Sequence, residues 1–144
     1  MPPKRVALVK DAMTAFPHFI EVHEDSVAAR RIMLEYGIRH LPVKDDGKLI
    51  GVVTERDLEV AELVGKSQEP ARAIPVRELC SRELYVVELH ARMDVVLTEM
   101  ARRKVGSALV VKDGRLAGIL TTSDVCRLYG ELLRELSPPA DEPA

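Results

Sequence analysis

The sequence predicts an α+β fold in which two copies of one β-α-β-β-α unit pack against each other about a pseudo-twofold axis. Three features support this prediction: an internal repeat, an Asp-Gly pair between two apolar runs in each copy, and an amphipathic segment before each pair. A unit of about 50 residues buries too little apolar surface to be stable alone, so the two copies are expected to pack together.

The internal repeat has an offset of 67 residues. The segment KLIGVVTERD at 48–57 corresponds to RLAGILTTSD at 115–124, and the copies extend without a gap over 9–58 and 76–125. The same offset pairs further identical residues: Val9 with Val76, Glu21 with Glu88, Met33 with Met100, and Val43 with Val110. A match over this length indicates the duplication of a structural unit.

Each copy predicts the same elements in the same order. A short apolar strand precedes an amphipathic helix, and two apolar runs joined through Asp-Gly then predict a β-hairpin. The predicted strands are 19–22, 40–44 and 49–53, then 84–87, 108–112 and 116–120, and the predicted helices are 26–36 and 92–103. Asp25 suits the N-cap of the first helix, and a last helix begins after Thr54 and after Thr121.

Composition places the boundaries of the two copies. Residues 1–64 are predicted to form the first repeat with an N-terminal segment, and residues 76–136 the second repeat. The intervening 65–75 carries Gly, Ser, Gln and two Pro, which is typical of a linker. The C-terminal SPPADEPA at 137–144 is expected to be a disordered tail.

Composition also argues against several classes of function. The chain has 21 basic and 23 acidic residues, no Trp, two Phe and three Tyr, so a nucleic-acid partner is disfavoured. No apolar stretch approaches the roughly 20 residues that span a bilayer, so no membrane partner is expected. Cys80 and Cys126 lack metal-like spacing and lie in apolar segments, which predicts reduced core thiols and a cytoplasmic protein.

The motif that carries chemistry is Gly-aliphatic-aliphatic-Thr-x-x-Asp, which occurs at equivalent places in both copies. Residues i and i+2 of a strand share a face, so Val52 lies beside Thr54 and Ile119 beside Thr121. An aliphatic surface, a hydroxyl, a carboxylate and a helix N-terminus therefore meet in one region. A nucleoside phosphate suits this set, because its base, its ribose diol and its phosphate each find a partner there.

The same residues have a second interpretation. Thr-x-x-Asp before an apolar helix is also a capping-box pattern, in which the two side chains only satisfy N–H groups at the helix end. This applies equally to Thr54 with Asp57 and to Thr121 with Asp124. The pattern alone leaves both interpretations open.

The chain resembles the cystathionine-β-synthase (CBS) domain family, and its two copies resemble the paired unit called a Bateman module. The resemblance covers about 9–130 and rests on KDAMT at 10–14, on YGIRHLPV at 36–43 and on both Gly-x-x-Thr-x-x-Asp motifs. The second copy departs from the family pattern, with LCS at 79–81 in place of Ala-Met-Thr and KVGSALVV at 104–111 where the Pro would be.

The resemblance implies two clefts between the repeats, which we name cleft 1 (at Asp57) and cleft 2 (at Asp124). Each would hold AMP, ADP, ATP or S-adenosylmethionine, with no obligatory cofactor, no metal and no catalytic residue. The two aspartates would bind ribose hydroxyls, and Thr54 and Thr121 would bind ribose or phosphate. The expected ligand contacts further include Val52, Ile119 and Ser123.

Further contacts are implied from the opposite repeat. His18 and Ile20 would cover the base in cleft 2, and Tyr85 and Val87 would cover the base in cleft 1.

Two further positions would contact phosphate. Arg39 and His40 are expected on the side of cleft 1, whereas the equivalent Gly106 and Ser107 carry no charge. Phosphate-rich ligands are therefore expected to prefer cleft 1.

These features predict a sensor rather than an enzyme. No nucleophile motif, paired carboxylates or metal cluster supports catalysis. The module would bind an adenine nucleotide, form a homodimer and signal to a separate effector protein. The alternative is a ligand-free module for dimerisation or protein interaction, in which the Thr and Asp residues only cap helices.

Overall fold

The protein is described by a computed structural model that covers residues 7–66, without the side chain of Lys66, and residues 72–137. Part of the predicted linker 65–75 and nearly all of the predicted tail 137–144 lie outside these described residues. The described chain has the predicted α+β architecture of two repeated units.

The first repeat contains a 3-10 turn Val9–Asp11, then β1 Thr14–Ala15, β2 Ile20–Glu21, α1 Ser26–Tyr36, β3 His40–Asp45, β4 Lys48–Thr54 and α2 Glu55–Lys66. The second repeat contains α3 Val76–Leu79, β5 Val86–Glu88, α4 Met93–Arg103, β6 Ser107–Lys112, β7 Arg115–Thr121 and α5 Thr122–Leu136. The predicted hairpins and the helices α1 and α4 agree within one residue. Strands β2 and β5 are shorter than predicted, because each pairs with a neighbouring strand on one side only.

Two sheets result, with the orders β2-β3-β4 and β1-β7-β6-β5. Strand β2 runs parallel to β3, and β5 runs parallel to β6. The hairpins β3-β4 and β6-β7 are antiparallel. The hairpin turns place Asp46 and Gly47 at φ 50° and 77°, and Asp113 and Gly114 at 51° and 76°. These left-handed conformations are the ones that favour Asp-Gly in two-residue turns, so the predicted turn chemistry is confirmed.

The N-terminal segment of each repeat crosses to the other repeat. Strand β1 pairs antiparallel with β7, and the Val9 N–H donates to the Ala91 carbonyl at 2.8 Å. In the symmetric position, Ser81 forms an antiparallel bridge with Val52. The two repeats are therefore joined by an exchange of segments as well as by packing.

This exchange explains the glycine of the repeated motif. A Cβ on Gly51 would lie 2.9 Å from the Ser81 carbonyl oxygen, and a Cβ on Gly118 would lie 3.0 Å from that of Thr14. Both oxygens belong to the crossing segments. Glycine is needed at these two positions because another backbone passes too close for any side chain.

Each hydrophobic core is completed by the opposite repeat. The first core includes Leu41 and Leu58 of the first repeat together with fully buried Val76 of the second. The second core includes Leu120 of the second repeat together with fully buried Val9 of the first. Neither repeat therefore keeps a complete core without the segment supplied by its neighbour.

The exposure of the two cysteines differs from the prediction that both are core thiols. Cys80 is half-buried but Cys126 is exposed, so the prediction of a core thiol is wrong for Cys126. The reason is that α5 has no buried side chain, although it is strongly amphipathic. No helix in the described part of the chain is both long enough and apolar enough to cross a membrane.

Candidate functional site

Both repeated motifs form helix caps. In the second repeat the Asp124 Oδ2 accepts from the Thr121 N–H at 2.9 Å, and the Thr121 hydroxyl accepts from the Asp124 N–H at 3.4 Å. In the first repeat the corresponding distances for Thr54 and Asp57 are 2.8 and 3.2 Å. The capping hydrogen bonds predicted from the sequence are therefore present in both copies.

The cap does not use the whole carboxylate of Asp124. Only Oδ2 takes part, and the cation nearest to Oδ1 among the described residues is Arg127 Nη2 at 3.7 Å. The Asp124 side chain keeps 16% of its surface exposed. An ionised carboxylate has about four acceptor positions, so Asp124 can cap the helix and still receive hydrogen bonds from a ligand.

Asp124 borders a cavity of about 590 Å³ in cleft 2. This volume lies within the range of about 300 to 1,000 Å³ that is typical of small-molecule sites. Both repeats supply its walls, through the crossing segment before β2, the start of β3, the end of β7 and the N-terminus of α5. Its lining residues are Thr14, Ala15, Phe16, Pro17, His18, Gly37, Ile38, Arg39, His40, Ile119, Thr121, Thr122, Ser123 and Asp124.

The cavity brings together most of the residues predicted for cleft 2: His18, Ile119, Thr121, Ser123 and Asp124. Their contact with a ligand stays a prediction. Ile20 was also expected there, and this is wrong, since it is 3% exposed and packs in the first core. His18 lies in the loop before β2, so the strand alternation that would place both residues on one face does not extend to it.

Arg39 and His40 also line cleft 2, which corrects the expectation that the cations serve cleft 1 only. They additionally border an open hollow of about 300 Å³ beside Thr54. The Arg39 Nε lies 3.4 Å from the Glu55 Oε2, and its side chain is 77% exposed. This weakly held guanidinium is free to turn toward an anion in cleft 2.

His40 lies at the seam between the repeats. It pairs with Thr54 across the hairpin, and a Cβ on Gly106 of the other repeat would lie 2.8 Å from its Nε2. Burial lowers the pKa of His40 below 6.5, and the charge of Arg39 lowers it further, whereas Asp57 acts in the opposite direction. The imidazole is therefore held in its neutral form near neutral pH.

An aromatic pair supports the wall of cleft 2. The rings of His18 and Tyr36 stack with their centroids 3.6 Å apart and an interplanar angle of 12°. At the equivalent positions of the second repeat, the Arg103 guanidinium lies over the Tyr85 ring, 4.6 Å from its centroid. Burial raises the pKa of Tyr85, Glu99 raises it further, and Arg103 opposes both.

Cleft 1 is assembled differently from cleft 2. Asp57 borders an open hollow of about 320 Å³ between α2 and the segment around α3, and neither Tyr85 nor Val87 lines it. Val87 packs in the second core and does not line this hollow, contrary to the expectation that it would cover a base there. Val52 is buried and bridged to Ser81.

The sequence prediction missed several residues at the wall of cleft 2: Phe16, Pro17, Gly37, Ile38 and Thr122, with Tyr36 behind His18. Pro17, Ile38 and Thr122 adjoin residues that were predicted. Phe16 alone gave an independent signal, since it is one of only two phenylalanines.

The profile of the CBS domain family matches residues 9–62 and 76–131. The chain therefore belongs to the CBS domain family, and it contains two consecutive copies of the domain. This finding confirms the resemblance on which the sequence analysis relied.

Two curated relatives differ in length. Hypoxic response protein 1 of Mycobacterium tuberculosis is 32% identical over 120 residues, which are 82% of each protein. L-aspartate semialdehyde sulfurtransferase of Methanocaldococcus jannaschii is 28% identical over 127 residues, which are 87% of this chain. The chain spans only 24% of the length of the latter.

Two solved structures with bound ligands are similar to this chain. The CBS domain pair of protein MJ0100, in complex with 5-methylthioadenosine and S-adenosyl-L-methionine, has a TM-score of 0.78 and 28% identity, covering 89% of this chain and 99% of that one. CBSX2 in complex with AMP has a TM-score of 0.74 and 27% identity, covering 88% and 98%. The ligands of both structures contain adenosine.

Proposed function

We propose that this protein is a regulatory module that binds an adenosine-containing ligand, AMP, ADP, ATP or S-adenosylmethionine, in cleft 2. The observation that carries the proposal is the 590 Å³ cavity that both repeats line around Asp124. The adenosine ligands held by CBS domain pairs of similar structure support it. We further propose that the protein acts in the cytoplasm, signals to a separate effector and has no catalytic activity.

Each part of such a ligand has a chemically suitable partner in cleft 2. The Oδ1 of Asp124, which the cap does not use, would accept hydrogen bonds from the ribose hydroxyls, and Thr121 would contact ribose or phosphate. Ile119 and the stacked ring of His18 would cover the base. Phosphate would lie at the N-terminus of α5, where Ser123 and the helix N–H groups favour anions.

The charge of cleft 2 favours phosphate-bearing ligands over a cationic sulfonium. Arg39 lines the cavity and is restrained only by an exposed ion pair with Glu55. Pairs of this kind contribute little, at most about 1 kcal/mol, so a phosphate competes well for the guanidinium. We therefore propose that AMP, ADP or ATP binds more tightly than S-adenosylmethionine.

Binding in this position would regulate through the seam between the repeats. The ligand would contact the crossing segment, the first repeat and the second repeat at once. A ligand that binds one relative arrangement of the repeats better than another shifts the population toward it. The effector protein would recognise that arrangement.

A thermal-shift experiment with AMP, ADP, ATP and S-adenosylmethionine tests this function. A ligand that binds only the folded state adds about 2.7 kcal/mol of stability at a hundredfold excess over its Kd. We expect a rise in Tm with at least one phosphate-bearing ligand, and a smaller rise with S-adenosylmethionine. Absence of a shift with every ligand would contradict the proposal.

The second candidate function is a ligand-free module for dimerisation or protein interaction. It is favoured by the apolar residues that α2 and α5 expose, among them Leu63 on α2 and Leu132 and Leu136 on α5. A homodimer that covers these faces is compatible with both functions. Sedimentation of wild type and of Leu132→Glu, each with and without AMP, separates them, because only the sensor responds to the nucleotide.

A further inference from the structure

Phe16 has an unusual backbone conformation and an unusual exposure. Its φ is 48°, in the left-handed region that bulky residues rarely adopt, and its side chain is 88% exposed. The other described non-glycine residues with positive φ have local reasons: Asp46 and Asp113 lie in hairpin turns, and Lys104 ends α4 as its C-cap. Phe16 belongs to neither class.

Neighbouring backbone holds Phe16 in this conformation. Its N–H donates to the Ala117 carbonyl at 3.0 Å, just beyond the pairing of Ala15 with Gly118. Pro17 follows directly and fixes the next φ. The position of the phenyl ring is thus set by the crossing segment, and not by burial of the ring.

The phenyl ring of Phe16 lies at the wall of cleft 2, where an apolar surface can contact a planar base. Phe16 lines cleft 2 together with the His18 ring and the apolar side chains of Ile38 and Ile119. The other phenylalanine, Phe19, borders a different hollow and is covered by the Lys44 ammonium, 4.0 Å from its centroid. At the position equivalent to Phe16 the second repeat has Glu83.

From this geometry we infer that Phe16 is a base-stacking residue of cleft 2. The strained backbone presents the ring to the cavity, and the planar base of the nucleotide covers the ring when it binds. The stack makes cleft 2 selective for nucleotides over phosphates of ribose that lack a base. This inference rests on the proposed function, because it requires a nucleotide in cleft 2.

The test compares AMP with ribose 5-phosphate by isothermal titration calorimetry. One base–aromatic stack contributes roughly 5- to 100-fold in affinity, so we expect this loss of AMP affinity in Phe16→Ala and Phe16→Asn. Ribose 5-phosphate should bind all variants as it binds wild type. Phe19→Ala is the matched control, and it should retain wild-type affinity for AMP.

Phe16→Asn also excludes a purely structural role. Asn tolerates positive φ better than Phe, so the unliganded variant should melt at or above the wild-type Tm while AMP affinity falls. Wild-type AMP affinity in both Phe16 variants would overturn the inference and leave the proposed function intact. Equal losses for AMP and ribose 5-phosphate would also overturn it, and wild type that does not bind AMP would refute it together with the nucleotide site.

Discussion

Clefts 1 and 2 arise from one duplicated motif, yet the cavity in cleft 2 is larger than the hollow in cleft 1. Both motifs form the same cap, with nearly equal hydrogen-bond distances at Asp57 and Asp124. Asp124 borders a cavity of about 590 Å³, whereas Asp57 borders an open hollow of about 320 Å³. The shared motif therefore fixes the helix start, and the residues around it determine the size of the cavity beside it.

The surrounding residues differ because the repeats face each other. Cleft 2 is completed by the start of β3 from the first repeat, which supplies Arg39 and His40. The equivalent positions of the second repeat are Gly106 and Ser107, which bring no charge and little volume. One repeat thus contributes the Arg39 cation to the cavity that the motif of the other repeat borders.

The largest difference between the two clefts is expected in AMP affinity when each aspartate is replaced by alanine. Asp124→Ala should weaken AMP binding by roughly 10- to 100-fold, because hydrogen bonds to a charged group contribute about 1.5–3 kcal/mol. Asp57→Ala should leave AMP affinity nearly unchanged. Both variants should lose about 1 kcal/mol of stability, because both lose a cap. Calorimetry with AMP and thermal melts of each variant measure the two quantities.

The common loss of the cap is the internal control for this pair. Both variants lose the hydrogen bond from the backbone N–H of the capping threonine, so a difference in AMP affinity between them arises from the ligand site. Equal losses of AMP affinity in the two variants would show that clefts 1 and 2 are functionally alike.

The next effect is a loss of stability at the crossing segments, where the two repeats are alike. Gly51→Ala and Gly118→Ala should each destabilise the fold by about 1–3 kcal/mol, because the new Cβ meets the crossing backbone. Urea unfolding measures this. Gly130→Ala in α5 is the control, since nothing lies within 4 Å of its Cβ, and it should stabilise by about 1 kcal/mol. A neutral effect of Gly51→Ala would argue against the segment exchange.

A smaller effect on ligand affinity is expected from Arg39, the cation that the first repeat contributes to cleft 2. Arg39→Gln should lower ATP affinity by about 3- to 10-fold, the scale of one partly exposed charge contact, and should leave adenosine binding unchanged. Glu55→Gln should raise ATP affinity slightly, because it releases the guanidinium from its ion pair. Changes of the same sign in both variants would contradict a role of Arg39 in phosphate binding.

The smallest effect concerns the pH dependence of stability. His40 has a lowered pKa in the folded state, so the unfolded chain binds more protons below pH 6.5. Its contribution is therefore fully present above that pH and is lost as the pH falls toward the folded pKa. Tm between pH 5 and pH 8 should fall less steeply with acidification in His40→Gln than in wild type. Identical slopes would show that His40 does not couple the seam to pH.

The fold was largely predictable because its signals are local and occur twice. The Asp-Gly turns, the N-cap at Asp25 and the helix α1 depend on neighbouring residues, and the structure confirms them. The repeat also indicated correctly that two units pack together. The exchange of N-terminal segments was not predicted, because no local pattern specifies which repeat Val9 or Val76 packs against.

The site was less predictable, because its residues come from both repeats. The residues of cleft 2 that lie within the motif, such as Thr121 and Asp124, follow from the sequence. Ile20 and Val87 were expected to cover the bases, but both pack in the hydrophobic cores. The side on which Arg39 acts depends on how the repeats face each other, which sequence periodicity does not encode.

A crystal structure of the protein grown with excess AMP tests directly whether cleft 2 is the nucleotide site. We expect one nucleotide per chain in cleft 2, with its ribose hydroxyls within hydrogen-bond distance of the Asp124 carboxylate and its phosphate near Arg39 and the start of α5. A nucleotide bound at Asp57 alone, equal occupancy at both aspartates, or an empty cleft 2 at saturating AMP would contradict it.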